Sequence, residues 1–208
     1  MRSKLPQNKL SIFAVMSKMA AQYNAINLSQ GFPDFNTDPK LIDLVTQAMQ
    51  NGANQYAPLA GHLPLREKIA ALVQDLRGAT YDPEQEICVT VGASEALFVA
   101  ITAFVHREDE VIVLKPAYDT YEPTIELQGG IPVPVQLDAP YTAVDWDAVA
   151  AAITPKTRML ILNNPHNPSG MVLKDADLKR LEEAGYIRRK GDKLELTPRG
   201  IRKIGQKA

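Results

Sequence analysis

Residues 158–170 read RMLILNNPHNPSG, an apolar run that ends abruptly in a cluster of turn-forming residues. A short apolar run with such flanks is typical of a buried β-strand. Pro165 and Pro168 cannot continue the hydrogen-bond ladder of a sheet, so the chain is predicted to leave the sheet there. The three asparagines of the cluster supply amides that a turn uses and that a ligand also uses. The segment by itself leaves both interpretations open.

Strand and helix patterns alternate on both sides of this stretch, from residue 86 onward. The predicted strands are EICVTVG (86–92), EVIVLKP (110–116), IPVPVQL (131–137) and TRMLILN (157–163). The predicted helices between and after them are ASEALFVAITAFV (93–105), TYEPTIELQGG (120–130, a helix or an irregular turn), DWDAVAAAI (145–153, with Asp145 as cap) and DADLKRLEEAG (175–185). Such alternation predicts an α/β fold, a mostly parallel sheet with helices on both faces and ligands outside the carboxyl ends of the strands.

Three amphipathic helices are predicted before this region, over residues 11–23, 39–52 and 63–78. Asp38 offers an N-cap for the second of them, with Pro39 at the first helical position. The predicted organisation is an N-terminal helical segment (1–85), a partial α/β domain (86–181) and a C-terminal tail (182–208).

The composition limits the classes of function. The net charge of −1 gives no overall reason to expect nucleic acid or an anionic membrane as partner. A single cysteine, Cys88, excludes an internal disulfide, and its apolar neighbours predict a buried thiol. The N-terminus lacks the apolar core of a signal peptide, so we expect a cytoplasmic location. We predict no metal site.

Two further strand ends carry candidate ligand groups. Gly92 allows a sharp turn into a helix whose first amides, at Ala93 and Ser94, favour a phosphate. The alternative is an ordinary helix start at which Ser94 caps its own helix. Tyr118 follows the next strand, where its ring either stacks on a flat heterocycle or packs on its own loop.

Five blocks of the sequence together resemble the class I/II aminotransferases of fold type I, which depend on pyridoxal 5′-phosphate, and especially the methionine and kynurenine branch. The blocks are SQGFPDF (29–35), NQYAPLAGHLPLREKIA (54–70), VTVGASEAL (89–97), KPAYDTYEP (115–123) and LILNNPHNPSG (160–170). They occur in the family's order over roughly residues 9–181, the N-terminal half of such an enzyme, and five blocks are far more specific than one.

The resemblance implies a role for each matching residue. Gly92, Ala93 and Ser94 would hold the cofactor phosphate, Tyr118 would stack on the pyridine ring, and Asn167 would hydrogen-bond its phenolic oxygen. It also implies that Gly31 lies near the substrate carboxylate and that Tyr56 reaches the phosphate of a neighbouring subunit, which predicts a homodimer. The substrates would be an amino acid and a 2-oxo acid.

The resemblance stops near Leu181. Beyond it the chain has no lysine in the context of the family's Schiff-base lysine and no arginines matched to the substrate carboxylate. No catalytic residue is therefore assigned. We expect a truncated family member that holds the cofactor non-covalently at best and is catalytically incompetent alone.

The C-terminal tail has a different character, with eight basic residues against two acidic ones from residue 188 onward. YIRR and KLEL predict a hairpin, and Thr197 with Pro198 predicts the start of a helix. The pattern resembles the wing of a winged-helix module, so the alternative function is nucleic-acid binding or regulation through this tail. A solvated basic hairpin is the other interpretation. We expect a join near residues 178–184, from a gene fusion, a frameshift or a sequence-assembly error.

Overall fold

The computed structural model describes residues 4–5, 10–29, 31, 33, 35–141, 143–183, 185, 187–190 and 193–196, the last two ranges by their backbone. This part of the chain forms two compact units. The smaller unit runs from Gln7 to His62, and the larger comprises the described residues from Leu63 onward together with residues 4–5. The boundaries at residues 85 and 181 stay predictions.

The smaller unit contains two of the predicted helices, α1 (Ile12–Gln22) and α2 (Pro39–Gln50). The Ser11 hydroxyl caps α1 by accepting a hydrogen bond from the Ala14 amide. Asp38 caps α2, with Pro39 at the first helical position, as the sequence predicts. Neither helix has a buried residue, so both present their apolar side chains at the surface.

The larger unit contains the remaining elements. They are α3 (Leu63–Arg77), α4 (Gly92–Phe104), β1 (Glu110–Lys115), α5 (Tyr121–Leu127), β2 (Ile131–Gln136), α6 (Trp146–Ala151), β3 (Thr157–Ile161), α7 (Asp175–Glu183), β4 (Ile187–Lys190) and β5 (Lys193–Leu196).

The centre of the larger unit is a three-stranded parallel sheet in the order β2-β1-β3. Successive side chains of β1 point to opposite faces. Val111 and Val113 pack with residues of α4 and α5, whereas Ile112 and Leu114 pack with residues of α6 and α7. Helices therefore cover both faces of the sheet, which confirms the predicted α/β fold class.

Strand β2 shows how a sheet accommodates two prolines. The amides of Ile131 and Leu137 donate to the backbone carbonyls of Asp109, just before β1, and of Lys115, its last residue. Because amides alternate along a strand, the nitrogens of Pro132 and Pro134 point away from β1, toward the side on which β2 has no neighbour in the described sheet. No ladder hydrogen bond is lost there, as expected for prolines in an edge strand.

The prediction of a strand over residues 86–92 is wrong. Residues 87–90 have no regular secondary structure, and α4 begins at Gly92 itself. A strand needs a neighbour to pair its backbone groups, and in the described sheet both neighbours of β1 are other segments. Val91 is 89% exposed and Cys88 is also exposed, so the prediction of a buried thiol is wrong for the same reason.

The predicted C-terminal hairpin is confirmed: β4 and β5 pair antiparallel, with Ile187 opposite Leu196 and Lys190 opposite Lys193. The helix predicted from Thr197 and Pro198 lies outside the described residues.

Candidate cofactor site

The carboxyl ends of β1 and β3 lie at one edge of the sheet because the two strands pair in parallel. Tyr118 follows β1 by three residues, and Asn167 follows β3 by six. Both loops therefore leave the sheet at the edge where open α/β sheets bind ligands.

The start of α4 reaches the same loop. The Ser94 hydroxyl lies 2.9 Å from the Tyr118 hydroxyl, a hydrogen bond in which either oxygen can be the donor. Ser94 therefore does not cap its own helix, which was the alternative from the sequence. The cap position is Val91, which makes no side-chain cap hydrogen bond. Two of the predicted site residues, 24 positions apart in the chain, are thus in direct contact.

The backbone at the start of α4 fits a phosphate group. Gly92 has φ +80°, a conformation that L side chains rarely adopt, and nothing lies within 4 Å of the position of a β-carbon there. The Gly92 amide donates to the Thr90 carbonyl and the Val91 amide donates to the Glu95 carboxylate. With no side-chain cap on this helix, the next amides, at Ala93 and Ser94, are available to an anion.

The Tyr118 ring is held from two sides. It is half-buried and packs on the cluster that contains Ile101 and Ile125. It also meets the Tyr121 ring edge-on, with centroids 5.8 Å apart and an interplanar angle of 77°. Burial raises the pKa of the Tyr121 phenol, and the neighbouring Tyr118 adds to that rise. The Tyr118 ring is therefore fixed beside the N-terminus of α4.

The three asparagines in the loop after β3 differ in their hydrogen bonds. The Asn163 side chain accepts from the Asn167 amide, and the Asn164 side chain accepts from the Leu173 amide. These two asparagines shape the turn. The Asn167 side chain is exposed and makes no hydrogen bond among the described residues, so its amide is available to a ligand. The Asn164–Pro165 and Asn167–Pro168 peptide bonds are both cis.

His166 is a residue that the sequence analysis did not single out. Its side chain is only 3% exposed, and Nδ1 lies 2.7 Å from the Ser169 hydroxyl. Burial lowers the pKa of His166 below its ordinary value of 6.5, and a hydrogen bond with the Leu114 backbone acts in the opposite direction. The ring is therefore neutral in the folded protein near pH 7.

This burial predicts a pH dependence of stability. Below about pH 6.5 the unfolded chain takes up a proton at His166 more readily than the folded one, so stability falls as the pH falls through that value, by at most about 1.4 kcal/mol per pH unit. We expect His166→Gln to remove this loss between about pH 7.5 and 5.5, as measured by urea unfolding. His106→Gln, which removes an exposed imidazole, is the control. Equal losses in the wild type and His166→Gln would contradict the prediction.

The other two predicted site residues belong to the smaller unit. Gly31 is exposed, and a β-carbon at its position would meet no atom within 4 Å. Tyr56 is fully exposed. Their roles near a substrate and at a partner subunit stay predictions.

Comparisons with known proteins give the family. The family model described as aminotransferase class I and II matches residues 23–185. The chain belongs to the class I and II aminotransferases. It is 48% identical over 183 residues to the methionine aminotransferase of Escherichia coli and 42% identical over 183 residues to a probable N-succinyldiaminopimelate aminotransferase of Mycobacterium tuberculosis. Pyridoxal phosphate is the cofactor of this family.

Solved aminotransferase structures share the fold. A crystal structure from Escherichia coli, described as identifying a methionine aminotransferase function, has a TM-score of 0.83 at 48% identity and covers 88% of this chain and 48% of its own. The N-succinyldiaminopimelate aminotransferase of Mycobacterium tuberculosis has a TM-score of 0.82 at 41% identity, covering 89% of this chain and 49% of its own. The chain spans about half the length of the curated relatives it matches, 47% for the Escherichia coli protein and 46% for that of Mycobacterium tuberculosis.

Nothing in these comparisons supports the alternative of nucleic-acid binding through the basic tail. Among the helices of the described residues, none has the length and apolar character needed to cross a lipid bilayer.

Proposed function

We propose that this chain is the part of an aminotransferase that cradles pyridoxal 5′-phosphate, and that it holds the cofactor without a covalent bond. The observation that carries the proposal is the hydrogen bond between Ser94 and Tyr118. It joins the uncapped start of α4 to the end of β1, so that amides suited to a phosphate lie beside an aromatic ring suited to a pyridine.

Each residue contributes a different part of the binding. Gly92 keeps the approach to the helix open, and the amides of Ala93 and Ser94 donate to the phosphate. Tyr118 contributes an aromatic contact to one face of the cofactor ring. Asn167 donates its side-chain amide to the phenolic oxygen of that ring. When bound, the cofactor supplies the electron sink for exchange of an amino group between an amino acid and a 2-oxo acid.

The proposal also covers the substrates, the oligomeric state and the location of the protein. Its substrates are an amino acid and a 2-oxo acid, with Gly31 near the substrate carboxylate. It works as a homodimer, in which Tyr56 contacts the phosphate held by the other subunit; the full exposure of Tyr56 within its own unit supports this contact. The location is cytoplasmic, which agrees with a single unpaired cysteine that is exposed in the structure.

Binding of pyridoxamine 5′-phosphate to the full chain tests the proposal. This amine form cannot form imines with surface lysines, so it reports the non-covalent site alone. We expect Tyr118→Ala to weaken binding at least about fivefold in calorimetric titrations, because an aromatic contact contributes about 1 kcal/mol beyond the area it buries. Pyridoxamine, which has no phosphate, is expected to bind more weakly than the phosphate ester.

The matched control is Tyr81→Ala, which removes a tyrosine that is 45% exposed and lies in the loop after α3. It is expected to bind pyridoxamine 5′-phosphate as the wild type does. The proposal is wrong if the wild type does not bind this ligand, or if Tyr118→Ala and Tyr81→Ala bind it equally well.

A further inference from the structure

We propose that His166 is a positioning residue, whose buried ring fixes the loop after β3 so that the side-chain amide of Asn167 points to the cofactor ring. This inference rests on the proposed function, because it concerns the same site. It adds a residue that contacts neither the phosphate nor the pyridine.

The ring of His166 connects two parts of the loop after β3. Nδ1 lies 2.7 Å from the Ser169 hydroxyl, and that hydroxyl oxygen also accepts a hydrogen bond of 3.2 Å from the Met171 amide. The Leu114 backbone, near the end of β1, raises the pKa of the ring and so partly offsets the effect of its burial. His166 therefore joins the two sides of Asn167 within the loop through its contact with Ser169.

The hydrogen bond with Ser169 fits a neutral ring. In a neutral imidazole one nitrogen donates and the other accepts. With Nδ1 as the acceptor, the Ser169 hydroxyl donates to it. The Ser169 oxygen remains free to accept from Met171, as it does. A neutral ring in this arrangement agrees with the burial of His166.

The backbone of His166 closes the same loop. Its amide donates to the Met171 carbonyl over 2.7 Å, and its carbonyl accepts from the Gly170 amide over 2.7 Å. Asn167 follows directly, and its only hydrogen bond among the described residues is from its backbone amide to Asn163. The direction of the Asn167 side chain is thus set by the backbone that His166 anchors, and by no partner of its own.

A double-mutant cycle tests whether His166 acts through Asn167. The probe is pyridoxamine 5′-phosphate, titrated into the full chain as wild type, His166→Ala, Asn167→Ala and the double variant. We expect Asn167→Ala to weaken binding about tenfold and His166→Ala about fivefold, with the double variant within about twofold of Asn167→Ala. His166→Asn, which keeps an acceptor near Nδ1 for Ser169, is expected to recover part of the affinity.

His166→Ala could weaken binding by destabilising the whole fold rather than by displacing the Asn167 side chain, and a control must separate these two effects. Val149→Ala removes two buried methyl groups from α6, a helix that supplies no residue of the proposed site, and serves as the destabilised control. It is expected to lower the melting temperature while leaving the affinity unchanged. The absorbance band of the bound ligand gives a second readout, because losing the hydrogen bond to its phenolic oxygen shifts the band in His166→Ala and Asn167→Ala alike.

The outcomes separate this inference from the proposed function. If the wild type binds and Asn167→Ala weakens binding, but His166→Ala binds as the wild type does, the inference is wrong and the proposed function stands. Additive losses in the double variant, or equal losses in Val149→Ala and His166→Ala, also overturn the inference. If the wild type does not bind the ligand at all, both are overturned.

Discussion

Replacing Trp146 by alanine is expected to lower the free energy of unfolding by about 3–5 kcal/mol, the range for deleting a large buried aromatic side chain. Trp146 is only 6% exposed and belongs to the core cluster that contains Leu114, Met171 and Leu181. Its indole Nε1 donates to Asp177 Oδ1 over 2.8 Å, which joins the start of α6 to α7. The substitution therefore removes both the filling of the core and the link between the two helices on that face of the sheet.

Trp146→Phe separates these two contributions. A phenyl ring keeps most of the apolar contact, whereas the Asp177 carboxylate loses the indole and keeps the Lys174 amide as donor. We expect a smaller loss, about 1–2 kcal/mol, in urea unfolding at constant pH. A loss below about 1 kcal/mol in Trp146→Ala would show that this cluster does not support the sheet.

Gly130→Ala is expected to cost about 2–3 kcal/mol, since insertion of a carbon into a packed site forces its neighbours to move. The new β-carbon would lie 2.6 Å from Val105 Cγ1, 3.0 Å from Ile125 Cγ2 and 3.2 Å from the Ile125 carbonyl oxygen. Val105 and Ile125 belong to the cluster that holds α4 and α5 against β1, and Tyr118 packs on the same cluster. A change at Gly130 thus affects the face that carries the aromatic part of the site.

Two variants control this prediction. Gly31→Ala places a β-carbon where nothing lies within 4 Å, and it is expected to change stability by less than about 0.5 kcal/mol. Val105→Ala removes the methyl group that Gly130→Ala would contact first. The double variant is therefore expected to lose less stability than the two single losses added together. Strict additivity would mean that the contact with Val105 is not the cause.

The sequence predicted most helices and the parallel sheet because their signals are local. Asp38, Pro39 and Asp145 mark helix starts through their own side chains, and the structure uses each of them in that way. The strand predicted over residues 86–92 failed because pairing depends on a neighbouring segment. Its pattern of β-branched residues is suitable for a strand, but the described sheet offers it no partner.

The candidate site was predictable to the extent that strand order determines it. Parallel strands bring the loops of Tyr118 and Asn167 to one edge. The contact of Ser94 with Tyr118 does not follow from strand order, because the strand predicted before Gly92 is absent. The sequence could not predict which asparagine side chains accept hydrogen bonds within the loop, because these bonds depend on the folded path of the loop. The burial of His166 was missed for the same reason, because it depends on the folded path of the loop and no local sequence pattern shows it.

Amide spectra of the isotope-labelled full chain, recorded by nuclear magnetic resonance with and without pyridoxamine 5′-phosphate, test most directly whether these loops form one cofactor site. The account predicts that the resonances of Ala93, Ser94, Tyr118 and Asn167 shift together along a single titration curve, while those of α7 stay in place. Shifts confined to other surfaces, or different affinities at Ser94 and Asn167, would contradict it.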